Sequence, residues 1–210
     1  MELGDVRRRR RMVRRYDPEA AVPEATLERI VQAGLRVPSA GFTQGVSLLV
    51  LEGTDKERYW SLTTDPAADP DRWLAGMRTA PVLIVVWTDP TAYLDRYAEP
   101  DKGWTDRDPT RWTAPYWFVD AGMAALAMLY AVVDEGLGAC FFGVPPSRID
   151  ALRAGFGVPD QQELVGVLSV GQPAGVPGRS RRSRRPATEL VHRGRWTSPP
   201  ELPESLKELG

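Results

Sequence analysis

Residues 117–137 constrain the fold more than any other stretch of the chain. Ala121, Ala124, Ala125, Met128, Leu129, Val132 and Val133 recur at helical spacing and give a broad apolar face. The small side chains within that face let another helix approach closely. Gly136 or Gly138 can end the helix in a left-handed conformation. The longest apolar region, Phe118 to Leu137, is interrupted by Asp120, Asp134 and Glu135, so no apolar segment approaches the roughly 20 residues of a membrane span. Asp120, at the start of the helix, reads as a cap or a contact to a neighbouring element rather than as an acid.

The elements around this helix alternate between α and β. Pro23 to Arg36 reads as an amphipathic helix with Leu27, Ile30, Val31, Gly34 and Leu35 on one stripe and proline in its first turn. Val46–Leu51 and Val82–Trp87 are short, β-branched apolar runs typical of strands covered on both faces. Asp55–Thr63 reads as a short helix, Ala139–Phe142 as a strand, Ser147–Phe156 as a helix capped by Ser147, and Leu164–Gly171 as a strand. Residues 88–115 lack periodicity but carry Tyr93, Tyr97, Trp104 and Trp112. They read either as a lid over a planar ligand or as a loop packed on the surface or against a partner subunit. With 210 residues, one substantial domain is expected, ending in a proline-containing arm over 197–210.

Charge is distributed unevenly. Seven arginines fall in residues 7–15 and five in 179–185, while residues 16–178 hold 12 Lys plus Arg against 22 Asp plus Glu. An acidic body is thus flanked by two basic clusters. The alternative to a binding role is a solvated basic arm, or a coding preference for arginine. A nucleic-acid module using both clusters on phosphates is a third reading, which the acidic body argues against. His192 is the only histidine and Cys140 the only cysteine, which disfavours a metal site, a histidine-dependent triad and an intramolecular disulfide. No lysine follows a glycine, so there is no P-loop. The N-terminus shows no apolar signal segment, and a cytoplasmic protein is the simplest expectation.

Four segments, in order, resemble the FMN-dependent nitroreductase family. The run Arg10-Arg11-Met12-Val13-Arg14-Arg15-Tyr16 is similar to the family's phosphate-binding opening, with Arg10, Arg11 and Arg14 at the positive positions and Met12 where a serine is common. Planar guanidinium forks match phosphate oxygens in a bidentate way. Pro38-Ser39-Ala40-Gly41-Phe42-Thr43-Gln44 resembles the loop that lines the flavin across a dimer interface, with Phe42 where asparagine is frequent and no Pro-Trp pair at Gly45-Val46. Gly136-Leu137-Gly138-Ala139-Cys140-Phe141-Phe142-Gly143 is similar to the segment after the central helix whose backbone runs along the isoalloxazine ring. Arg182, Arg184 and Arg185 resemble the C-terminal basic segment that returns to the same phosphate.

The resemblance implies an α+β fold, a three-layer α-β-α sandwich with a central mixed sheet, assembled as an intertwined homodimer with the 117–137 helix at its centre. It implies FMN as cofactor and NAD(P)H as reductant. Hydride would pass through flavin N5 to nitroaromatic, quinone or other planar acceptors by ping-pong kinetics. Pro38, Ser39, Ala40, Phe42 and Gln44 would join the cofactor contacts, and Phe42, Tyr97, Trp104, Trp112 and Tyr116 would line the substrate pocket. No catalytic side chain or metal is required, because the flavin carries the redox chemistry. A flavin-binding scaffold without turnover, oxidative relatives and a deazaflavin reductant are the remaining readings.

Overall fold

A computed structural model describes residues 1–65, 69–175 and 182–196 of the chain. They fall into two compact units, Met1–Pro177 and Gly178–Gly210.

The first unit is built on a four-stranded sheet: β1 (Val46–Glu52), β2 (Val82–Thr88), β3 (Gly138–Phe142) and β4 (Glu163–Gly171), in the order β1-β2-β4-β3. Every ladder is antiparallel, which corrects the expected mixed sheet; parallel pairing among the described residues is confined to the isolated bridge between Met12 and Ala139. All seven residues of β2 are buried, so the run is apolar on both faces. Val82, Ile84 and Val86 face one core, while Leu83, Val85 and Trp87 face the other.

Helices cover both faces, giving the three layers. Against Ile84 and Leu168 lie α2 (Glu24–Leu35) and α6 (Tyr116–Asp134). Against Leu83 and Val167 lie α3 (Gly53–Thr63), α4 (Arg72–Met77) and α7 (Ile149–Phe156), through Tyr59, Trp60, Met77 and Leu152. Each fully buried aliphatic side chain contributes about 1.5–3 kcal/mol. A glycine permits a close approach of α2 to α6: a Cβ on Gly34 would lie 2.8 Å from Met128 Cγ.

α6 spans 19 residues with a mean hydropathy of 1.6 over its most apolar window, which is enough by length and composition to cross a bilayer. This departs from the expectation that no segment comes close. It is nonetheless a core helix, burying Asp120, Ala121, Ala124, Ala125, Met128, Leu129 and Val132.

One element appears where none was expected, and two expectations change. The first basic run is partly helical, as α1 (Leu3–Arg9), with Val6 buried. The 88–115 stretch contains a regular helix, α5 (Pro90–Ala98), which Asp89 caps by accepting from the amides of Thr91 and Ala92. Ser147 lies inside a 3-10 turn, Pro146–Arg148, and does not cap α7. In the second unit, α8 (Ala187–Leu190) is short, Arg185 pairs with Glu189 at 2.9 Å, and His192 stacks on Trp196 at 4.0 Å. The 197–210 arm lies outside the described residues.

Candidate functional site

Between α1 and α2 the arginine segment leaves its helix and lies extended along β3, the sheet's edge strand. The Val13 amide donates to Ala139 O at 2.9 Å, the Asp17 amide to Gln172 O at 2.9 Å, and the Ala174 amide to Arg15 O at 3.1 Å. Val13 and Tyr16 are buried. Two glycines permit this seat: a Cβ on Gly138 would meet Val13 Cγ2 at 2.6 Å, and one on Gly76 would meet Arg14 O at 2.2 Å.

The three arginines expected to bind phosphate have different environments. Arg11 folds back on the end of α1, its Nη1 donating to Arg8 O at 2.7 Å and Arg10 O at 2.9 Å. Arg14 makes one long contact, Nη1 to Met12 O at 3.4 Å. Arg10 Nη1 is buried with no hydrogen-bond partner among the described residues. None of the three pairs with a carboxylate among the described residues. A buried cationic nitrogen without an acceptor is costly, and an anion beside Arg10 removes that cost. Met12 packs its side chain into the core, so a contact from this position would come from its main chain.

β3 follows the same division. Cys140 is buried, and desolvation pushes its thiol pKa up. Phe141 packs over Gly166, and Phe142 stacks on Trp60 at 5.9 Å. These side chains belong to the core, leaving the strand's outer main chain beyond Ala139 as its available surface. Gly143 follows, with nothing within 4 Å of where a Cβ would stand.

The Pro38–Gln44 loop is held in a strained shape. Gly41, Phe42 and Gln44 have φ of 64°, 57° and 56°. The Ala40 amide donates to Asp120 Oδ2 at 2.8 Å, the Gln44 amide to Ser39 Oγ at 2.9 Å, and Arg96 Nε to Gly41 O at 2.9 Å. Asp120 also accepts from the Tyr93 hydroxyl at 2.9 Å, making it a contact to a neighbouring loop and not a helix cap. Phe42 is 75% exposed.

Four of the aromatic residues expected to line a pocket, Tyr97, Trp104, Trp112 and Tyr116, pack on one another. Tyr97 lies 4.3 Å from Trp112 and 5.0 Å from Trp104, and Trp112 lies 5.6 Å from Tyr116. A Cβ on Gly41 would strike Tyr97 at 2.7 Å. Tyr97 of this cluster therefore buttresses the Pro38–Gln44 loop, and Tyr116 is its exposed ring.

The structure joins the arginine segment to β3 but sets the Pro38–Gln44 loop elsewhere. The loop is tied to Asp120 near the start of α6, whereas β3 begins just after that helix ends. With a rise of 1.5 Å per residue, the 14 residues from Asp120 to Asp134 separate the two by about 20 Å along the axis. Arg182, Arg184 and Arg185 are exposed in the second unit. Sequence reasoning missed Tyr16, Ser169, Arg96 and Tyr93 as organisers of these segments. Of these, Tyr16 carried a signal, as a large aromatic closing a run of arginines.

The profile of the Nitroreductase family matches residues 8–172. A protein of Methanothermobacter thermautotrophicus, named as an NADH dehydrogenase/NAD(P)H nitroreductase, is 26% identical over 180 residues, 85% of this chain and 81% of that protein. Among solved structures, one classed as a nitroreductase in complex with FMN, from Desulfovibrio desulfuricans, aligns at a TM-score of 0.70 and 24% identity, covering 94% of this chain and 99% of its own. Nitroreductase CinD from Lactococcus lactis, in complex with nicotinic acid, aligns at 0.72 and 20% identity, covering 87% and 95%. The two structural likenesses establish the fold.

Proposed function

The chain belongs to the nitroreductase family, and on that premise we propose that it is an FMN-dependent oxidoreductase using NADH or NADPH to reduce nitroaromatic, quinone or other planar acceptors. The observation that carries this reading is the buried Arg10 Nη1, unpartnered among the described residues, in the same segment as Arg14, whose main chain bonds to β3 at Val13. These residues fit a phosphate dianion. Each charge-assisted hydrogen bond from Arg10 or Arg14 contributes about 1.5–3 kcal/mol. When bound, FMN supplies hydride transfer at N5; the protein supplies binding, orientation and an open face. The relatives' names support the nicotinamide donor and the flavin.

The Pro38–Gln44 loop reaches the same ligand if a second copy packs its α6 antiparallel on the first. Val119 and Leu126 of α6 are 44% and 43% exposed, and Gly122 between them has open space at its Cβ position. That apolar, small-residue face suits a homodimer contact. In the proposed homodimer the loop of one chain would serve the arginine segment of the other, making the site composite.

Purified protein titrated with FMN under anaerobic conditions tests the proposal. Quenched flavin fluorescence, followed by bleaching of the bound flavin with NADH or NADPH and recovery with a nitroarene or quinone, is the expected result. Absence of binding would overturn it. Binding without bleaching would favour the scaffold reading.

A further inference from the structure

We propose that Tyr16 is a positioning residue for the phosphate cradle: its hydroxyl holds the Val13 carbonyl and so fixes the main chain that carries Arg14. This rests on the FMN reading above. Tyr16 is 1% exposed, and its Oη lies 2.6 Å from Val13 O, 2.7 Å from Ser169 Oγ and 3.3 Å from Ser169 O. A phenol has one proton, and a carbonyl can only accept. Tyr16 therefore donates to Val13 O, and the Ser169 hydroxyl donates to Tyr16 Oη.

Ser169 stands on β4 directly opposite Cys140 of β3 and Leu83 of β2, so the clamp is anchored inside the sheet. The other end of Tyr16 is tied as well. Its amide donates to Thr79 Oγ1 at 2.8 Å, and that hydroxyl donates to Gly76 O at 2.7 Å, just after the tight contact of Gly76 with Arg14 O. Residues 13 and 16 are thus both fixed, and Arg14 and Arg15 project from a closed span between them. Among the described residues the guanidinium of Arg14 makes one long hydrogen bond, so the register of its backbone decides where its charge sits. Pre-setting that register removes an ordering cost from anion binding.

The test is flavin-fluorescence titration of Tyr16→Phe with FMN and, separately, with riboflavin, which lacks the phosphate. Tyr16→Phe keeps the ring and its burial and removes only the donor. The expected result is about a tenfold rise in Kd for FMN, the equivalent of one net hydrogen bond, with riboflavin affinity unchanged. Ser169→Ala should weaken FMN in the same direction by a smaller factor. Tyr59→Phe, which alters a buried tyrosine of the same core, should leave FMN affinity unchanged. Unchanged FMN affinity in Tyr16→Phe, an equal loss for both flavins, or an equal loss in Tyr59→Phe would overturn the role of Tyr16. A wild-type protein that binds neither flavin would overturn the FMN reading itself, and this role with it.

Discussion

Asp120, buried in the first turns of α6, accepts the Ala40 amide at 2.8 Å and so fastens a strained surface loop to the central helix. The same Oδ2 accepts the Tyr93 hydroxyl at 2.9 Å. Asp120→Ala leaves both donors without their acceptor and is expected to cost about 2 kcal/mol, read as a lower urea midpoint with an unchanged m-value. Asp120→Asn keeps an acceptor oxygen and should cost less. Equal stability of the alanine variant and wild type would show that the loop is held by other contacts.

The three arginines of the first cluster are expected to separate in a binding assay. Arg10→Ala and Arg14→Ala remove cations that have no carboxylate partner among the described residues and should each raise the FMN Kd by about tenfold to a hundredfold. Arg11→Ala should change it less than about threefold, because its guanidinium is engaged with Arg8 O and Arg10 O. Its effect should instead appear as fraying of α1, seen in faster amide exchange at Arg9 and Arg10. Equal losses at all three positions would contradict the division.

This division marks the limit of what the sequence showed. The spacing of Ala121, Ala125, Met128 and Val132 located α6, and the β-branched run at Val82–Thr88 located the central strand, because burial on a fixed period leaves a direct trace in residue type. Arg10, Arg11 and Arg14 look alike as letters; only the turn of the chain after α1 gives one of them a carbonyl and leaves another buried and unpartnered. The aromatic 88–115 stretch hid α5, although Asp89-Pro90 is a helix-start signal and Asp89 does cap it. The distance between the Pro38–Gln44 loop and the arginine segment was legible in neither, since it follows from the length of α6 and the direction of the strand after it.

Gly76→Ala tests the seat of the arginine segment from the other side. Its Cβ would lie 2.2 Å from Arg14 O, a main-chain atom that cannot swing away. Either α4 or the segment must shift, so a loss of about 1–3 kcal/mol is expected, together with weaker FMN binding. A variant with wild-type stability and affinity would mean the two segments tolerate displacement.

Three of the six tyrosines, Tyr16, Tyr59 and Tyr93, are held above the usual phenol value of 10.0, in each case chiefly by burial. For Tyr93 the neighbouring Asp120 adds to the effect. A group whose pKa is raised on folding stabilises the native state below its unfolded pKa, and the contribution is lost as pH rises beyond it. Stability should therefore fall steeply above about pH 10. Ultraviolet titration should show these three phenols ionising together with unfolding. Smooth titration of all six before the protein unfolds would refute this.

Phe42 joins the loop's strain to its proposed chemistry. A bulky L-residue at φ 57° costs about 1–2 kcal/mol relative to right-handed backbone, and a ring that is 75% exposed recovers little of that by burial. The strain is held by Asp120, by Arg96 on Gly41 O and by Tyr97 pressed against Gly41. Asparagine tolerates left-handed backbone far better, so Phe42→Asn should raise stability by about 0.5–1 kcal/mol while removing an aromatic plate from the loop. If that plate meets planar acceptors, the same variant should raise KM for a nitroarene with little change in FMN affinity. A rise in stability with unchanged KM would leave the strain argument standing and remove Phe42 from the acceptor site; a fall in stability would show that the ring packs against a second copy of the chain.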